Sequence, residues 1–284
     1  MVKFQKYYLS TILGLFLLVS CNKASKNNTQ KDKELATILF EQEFGTHDHL
    51  KPIQGTPKSM TMLDSILKLD PTHAAAWREI SIPYLKRGMP LEWKPLIDKS
   101  VEIDPKNWQP MRGYLYLNFY RDYEKAIADF NASDSLTPYL DYPQGHSVDF
   151  WRGIAYLGAK DYDNSIAFWD KHITKETEDS GEDWVELEAF LYRGIAYYEA
   201  GNIEKSNENF EKVIQYFTNS ADAKYYTAQI LLSEGNNKAA LNMINDAIID
   251  FNNGYYNNRA YVETLRQIYL EDLEELKSKI IASN

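Results

Sequence analysis

From residue 34 onward, stretches in which apolar side chains return every third or fourth position alternate with short polar breaks. Leu35, Ile38, Leu39 and Phe44 share one side and give way at Gly45 to the polar run Thr46 to Gln54. Met60, Leu63, Ile66, Leu67 and Leu69 follow at the same spacing and stop at Asp70-Pro71. A three- and four-residue spacing stacks side chains on one face of a helix, and proline cannot continue one. The alternation persists to the end of the chain and predicts an all-α protein. Its last stretch, Arg259 to Ile281, reads as one long helix with Leu265, Ile268, Tyr269, Leu273, Leu276 and Ile280 on a stripe, after a Tyr/Asn/Gly turn from Phe251 to Asn258.

The helical stretches repeat. Arg152-Gly153-Ile154-Ala155-Tyr156 returns as Arg193-Gly194-Ile195-Ala196-Tyr197, Asp70-Pro71 returns 34 residues on as Asp104-Pro105, and Gly201 and Gly235 are again 34 apart. With Trp77, Ser81 and Tyr84, then Gly113, Tyr116, Ala126, Phe130 and Pro138, then Gly153, Tyr156, Ser165 and Trp169, then Gly194, Tyr197, Gly201, Ser206 and Phe210, then Ala228, Gly235, Ala240 and Ala247, the pattern resembles the tetratricopeptide repeat. The resemblance implies a right-handed superhelical solenoid of about five helix–turn–helix repeats over residues 72–250, between N-terminal capping helices at 34–71 and a C-terminal capping helix at 251–284. Pro83, Pro90 and Pro95 depart from the pattern in the first repeat. Gly153 and Gly194 belong where two helices cross, with Tyr156 and Tyr197 filling the space one turn later.

The first twenty residues follow other rules. Lys3 and Lys6 precede an apolar run from Tyr7 to Val19 that is too short to span a bilayer, as in a secretory signal peptide. Leu18-Val19-Ser20-Cys21 resembles the lipobox of bacterial lipoproteins, which implies cleavage before Cys21 and acylation of that residue, palmitate included. Cys21 is the chain's single cysteine, so no internal disulfide competes for it. Residues 21–33, nearly without apolar side chains, read as a flexible tether. Removing residues 1–20 leaves 29 basic and 41 acidic side chains, a net −12. That balance argues against nucleic acid, which needs a basic face, and against polyanionic substrates.

The chemistry that remains is sparse. There is no Gly-x-Ser-x-Gly elbow, no phosphate-cradling loop and no His-Glu-x-x-His. His47-Asp48-His49 lacks a third ligand, and Glu176, Glu178, Asp179, Glu182 and Asp183 lack the order of a calcium loop. The expectation is therefore a chain without catalysis, metal or cofactor. In tetratricopeptide domains first-helix residues line the concave surface, and the resemblance places Arg78, Ile82, Leu85, Tyr114, Leu117, Phe150, Ile154, Leu157, Leu191, Ile195, Tyr198, Tyr225 and Gln229 there. Such an apolar, aromatic groove suits an amphipathic helix or extended apolar peptide, with Tyr198 and Tyr225 as anchors. Two insertions bracket the third repeat, Thr137 to His146 and Thr174 to Trp184, and both should emerge on one edge. Together these features imply a lipid-anchored scaffold in the cell envelope, periplasm-facing on the outer membrane, that binds protein or peptide partners. The alternative is a carbohydrate or small-ligand binder using exposed Trp93, Trp108, Trp151 or Trp184.

Overall fold

The computed structural model describes residues 29–45 and 53–283, and every regular element among them is helical. Helix α1 covers residues 29–44, and α2 covers Pro57–Leu69. Five antiparallel pairs follow: α3 (Ala74–Lys86) with α4 (Pro90–Ile103), α5 (Pro105–Leu115) with α6 (Tyr123–Leu136), α7 (Val148–Gly158) with α8 (Tyr162–Ser180), α9 (Leu187–Glu199) with α10 (Ile203–Tyr216), and α11 (Ala221–Ser233) with α12 (Asn237–Asn252). The last helix, α13, is Leu270–Ala282. Cys21, the signal-like run and the His47-Asp48-His49 motif lie outside the described residues.

The chain separates into two compact units at Trp108–Gln109, within α5, where the repeat pattern suggested one body over residues 72–250. In the first unit Ala36, Leu63, Ile66, Leu67 and Ala76 form a core, with Phe40, Phe44, Trp77 and Ile80 around it. Helix α1 begins at residue 29, so residues 29–33 are helical where a tether was expected. Lys33 lies 3.7 Å from the Asp70 carboxylate and donates to the Thr72 hydroxyl at 2.9 Å. The prolines of the first repeat are absorbed. Pro90 takes the first turn of α4, where no N–H is needed, while Pro83 and Pro95 sit inside α3 and α4.

In the second unit each glycine of the repeat marks a crossing. A Cβ on Gly153 would lie 2.5 Å from the Trp169 indole, and one on Gly194 would lie 2.7 Å from the Phe210 ring. Because hydrogen replaces a side chain there, an aromatic ring of the second helix lies flat on the first helix's backbone. Ser165 and Ser206 donate to the carbonyls of Gly153 and Gly194 at 2.8 and 3.0 Å, which fastens the same crossings. Asp122, Asp161 and Asn202 cap the second helices by accepting backbone N–H groups two residues into the first turn. Gly113 is stopped by Phe130, 17 residues on rather than 16, because a π-helical turn at Tyr116–Tyr120 adds a residue. Tyr197 is buried as the repeat requires, whereas Tyr156 is half-buried and stacks on Phe168 at 5.5 Å.

The C-terminal region differs from the sequence expectation. Residues 253–269 contain no helix, and the helix expected from Arg259 begins only at Leu270. Leu273, Leu276 and Ile280 then cover Ala240, Ile244 and Ala247 of α12. The second insertion also differs, since α8 continues through Ser180 and leaves only Gly181 and a 3-10 turn, Glu182–Trp184, before α9.

Candidate interaction surface

The segment 253–269 leaves α12, enters the space lined by first helices, and returns to α13. The Ala221 N–H donates to the Tyr255 carbonyl at 2.9 Å. At Asn257 the backbone N–H donates to the Asp222 carboxylate at 2.7 Å and the side-chain amide donates to the Tyr192 hydroxyl at 2.9 Å. Arg259 lies over the Trp151 ring at 5.0 Å, with a guanidinium nitrogen 3.2 Å from His146 Nε2. The Glu263 carbonyl accepts from Arg121, and the Leu265 carbonyl accepts from the Tyr192 hydroxyl at 3.1 Å. Arg266 places two nitrogens on the two oxygens of Glu199, at 2.5 and 2.9 Å. Leu265 and Ile268 are buried.

Where this segment starts, Leu187, Glu188, Leu191, Val213, Phe217, Asp222, Tyr255 and Asn257 line a cleft of about 230 Å³. Burial pushes the Asp222 carboxyl up to about 7, against the Asn257 N–H, which favours the charged form, while nearby Glu188 pushes the same way as burial. A carboxyl raised on folding stabilises the fold fully below its unfolded value near 3.8 and loses that contribution as the pH rises through about 7. Asp222→Asn retains an acceptor for the Asn257 N–H and carries no charge. It is expected to be more stable than wild type at pH 8 by up to about 4 kcal/mol, with little difference at pH 4. Urea midpoints at the two pH values measure this, and an equal gain at both would show that the Asp222 carboxyl does not titrate in this window.

The first insertion is tied at His146 to the start of α9, and the second at Glu182 to α10. Glu186 precedes α9, and instead of capping that helix its carboxylate bridges His146 at 3.3 Å and His172 at 3.0 Å. Burial opposes ionisation of Glu186, but the hydrogen bonds from His146, His172 and the backbone outweigh it and hold the carboxyl far below the usual range. Glu182 accepts from the Lys212 ammonium and from the Tyr216 hydroxyl. On this fixed edge Tyr139, Tyr142 and Trp184 project into solvent, Trp184 at 75% exposure.

Residues 191–255 match the family model described as tetratricopeptide repeat. PilW, a widely conserved type IV pilus biogenesis factor, superposes with a TM-score of 0.56 at 15% identity over 79% of this chain and 94% of its own. MamA from Desulfovibrio magneticus does so with 0.53 at 16% identity, over 63% and 96%. YrrB, described as having an unusual peptide-binding site, gives 0.50 at 15% identity over 66% and 91%. The described helices have the fold of a tetratricopeptide-repeat solenoid. No curated protein matches it in sequence.

The sequence-predicted groove residues lie on α3, α5, α7, α9 and α11, with Leu117 in the π-helical turn that extends α5, but many of them are buried. Ile82, Leu85, Leu117, Phe150, Ile154, Leu157, Leu191 and Ile195 are all buried and act as packing residues. Ile154 and Ile195 of the duplicated pentapeptide are among them. Arg78, Tyr114, Tyr198, Tyr225 and Gln229 stay half-buried. Arg78 is paired with Glu79 at 2.7 Å, and Tyr198 donates to Gln229 at 3.4 Å. Among the tryptophans, Trp93 and Trp151 are buried, which removes both from the set of exposed rings.

One arrangement of side chains was invisible along the chain. Ser147 Oγ is 3.0 Å from His172 Nδ1, and His172 Nε2 is 3.0 Å from Glu186. A serine, a histidine and a carboxylate in sequence resemble a catalytic relay. Ser147 is wholly buried, however, and its hydroxyl accepts the Phe150 N–H as the cap of α7. No carbonyl can reach that oxygen in this structure, and the chain of hydrogen bonds serves to hold α7 and α8 to the start of α9. Among the described residues no group of three His, Cys, Asp or Glu could hold a metal ion, and no helix is long and apolar enough to cross a membrane.

Proposed function

We propose that this protein is a lipid-anchored adaptor of the bacterial envelope, tethered through Cys21, and that its protein partner docks on the insertion-bearing edge rather than in the groove. The carrying observation is the exposure of Tyr139, Tyr142 and Trp184 on insertions that Glu186 and Glu182 hold rigid. Tyrosine and tryptophan dominate interface energetics, because each supplies a large contact area at small entropic cost. A fixed edge loses little further freedom when a partner binds. The likeness of fold to PilW, a type IV pilus biogenesis factor, supports an envelope setting, and that to YrrB supports peptide or protein binding. The lipobox resemblance supplies the anchor, and several acyl chains on one residue give stable membrane attachment.

Cross-linking in cells tests the edge. Tyr139→Ala with Trp184→Ala is expected to reduce partner recovery at least tenfold, while Tyr198→Ala with Tyr225→Ala leaves it unchanged. The reverse pattern would return the site to the groove. Cys21→Ser should move the protein out of the membrane fraction, and unchanged fractionation would remove the anchor. Trp184 is also the ring that a carbohydrate ligand would use, since Trp93 and Trp151 are buried and Trp108 is half-buried with Arg78 over its ring at 5.9 Å. Saturable quenching of tryptophan fluorescence by oligosaccharides, lost in Trp184→Phe, would establish that reading instead.

A further inference from the structure

Capping the last repeat needs only that α13 cover α12, which Leu273, Leu276 and Ile280 accomplish. The segment 253–269 goes further, reaching inward past α9 and α11 to Trp151, His146 and Arg121 before returning. Its ends lie close enough together for α12 and α13 to pack, so the detour is a loop inserted into the groove. We infer that this loop is a resident pseudo-ligand, and that the seats it fills accept an extended, arginine-bearing segment of a partner protein in exchange for it. This second site meets the edge proposed above at His146, whose Nδ1 faces Glu186 and whose Nε2 faces Arg259, and shares none of the exposed rings Tyr139, Tyr142 and Trp184.

The grip on the loop is a grip on peptide backbone. Asp222 takes the Asn257 N–H, Tyr192 takes the Leu265 carbonyl, and Arg121 takes the Glu263 carbonyl. Side chains that hold main-chain groups hold any extended segment of suitable shape. Selectivity comes from two further seats. Glu199 receives the fork of Arg266 on both oxygens, and Trp151 with His146 Nε2 receives the flat guanidinium of Arg259. Both geometries need a planar cation with several donors, so lysine would lose a hydrogen bond in one and stacking in the other. A net charge of −10 draws a basic segment toward the protein.

The loop is held in a form that favours exchange. Tyr261 and Arg266, neither of them glycine, have φ of 72° and 57°, in the left-handed region that side chains avoid. Tyr261 is 81% exposed, and the fully buried apolar side chains are Leu265 and Ile268, with Tyr256 partly buried against Phe251. A free segment with the same contacts and relaxed backbone would compete well, except that the tether gives the resident loop an effective concentration on the order of mM.

The probe is a labelled synthetic peptide with the sequence of residues 255–269, read by fluorescence anisotropy against the whole protein. Arg259→Ala with Arg266→Ala loosens the resident loop without altering the seats. That variant should bind the peptide at least tenfold more tightly than wild type, while a peptide with both arginines replaced by glutamine should bind neither protein. Equal binding of the two peptides would overturn the inference. So would an absence of binding to the variant when hydrogen exchange shows its loop open. Should the variant lose its helical circular dichroism, wild type decides: saturating peptide must accelerate amide exchange in the resident loop 255–269, and unchanged exchange refutes displacement. Trp184→Ala is expected to leave every one of these readings unaltered, so a failure of the edge proposal would not be mistaken for a failure of this one.

Discussion

Arg152→Ala is expected to cost about 3–5 kcal/mol in urea unfolding, against about 1 kcal/mol for Arg193→Ala, although both arginines open the same pentapeptide. The difference lies one helix away. In two repeats the residue before the stacking aromatic is polar and receives the arginine: Asp129 takes Arg112 on both oxygens at 2.8 and 2.6 Å, and Asn209 takes Arg193 at 2.8 Å. In the third repeat that position is Phe168, which offers Arg152 only a ring face at 5.0 Å. Arg152 turns back instead to the Phe130 carbonyl at 2.8 Å, Asp134 at 2.5 Å and the buried Asp149 at 3.2 Å. Its side chain is 2% exposed and so is that of Asp149. Truncation therefore leaves the buried Asp149 carboxylate without its arginine, while the Phe130 carbonyl keeps the Ser133 hydroxyl at 2.7 Å. Lys171, 2.8 Å from Asp149, keeps the loss toward the lower end of the range. Adding Asp149→Asn should recover part of it, and equal costs at Arg152 and Arg193 would show that burial does not separate them.

Trp169→Ala is expected to cost about 3–5 kcal/mol through the cavity it opens. The indole is fully buried, lies on the Gly153 backbone, meets Phe150 edge-on at 5.0 Å and stacks on Tyr192 at 5.9 Å. Its N–H finds no acceptor among the described residues, so the loss is one of packing. Gly153→Ala alone should cost about 1–3 kcal/mol, since its Cβ would overlap that ring. In the Trp169→Ala background the same methyl enters vacated space and should be close to neutral. That non-additivity in thermal or urea unfolding is the signature of direct contact. Additive losses would place the two residues apart. Because Tyr192 also holds Asn257 and Leu265, Trp169→Ala should loosen the loop 253–269 as well.

Much of the fold was legible along the chain because its determinants are local and periodic. Helix faces followed three- and four-residue spacing, and the recurrence of glycine, tyrosine and a small residue placed the crossings at Gly153 and Gly194. The C-terminal error was of another kind. Leu265, Ile268 and Tyr269 continue the stripe of α13 correctly by spacing, yet the backbone there is not helical. Although the Gln267 and Tyr269 N–H groups bond locally, to Thr264 and Asp272, the Asn257 N–H and the Glu263 and Leu265 carbonyls are satisfied by Asp222, Arg121 and Tyr192, as much as 142 residues distant. No local signal announces such partners.

The same separation holds for the candidate site. Sequence by itself determined the helices, the repeat register and which residues belong to first helices, since hydrophobic period and small-residue spacing act over one or two turns. Only the tertiary structure decided which of those residues meet solvent. Ile154 and Ile195 are inward by register yet buried, and Trp151 is closed in by Arg259 from the far end of the chain. It also decided that His146, His172 and Glu186 converge, which ties the first insertion to α8 and the start of α9. Exposure is a property of whatever covers a residue, and here the cover is supplied by segments remote in sequence.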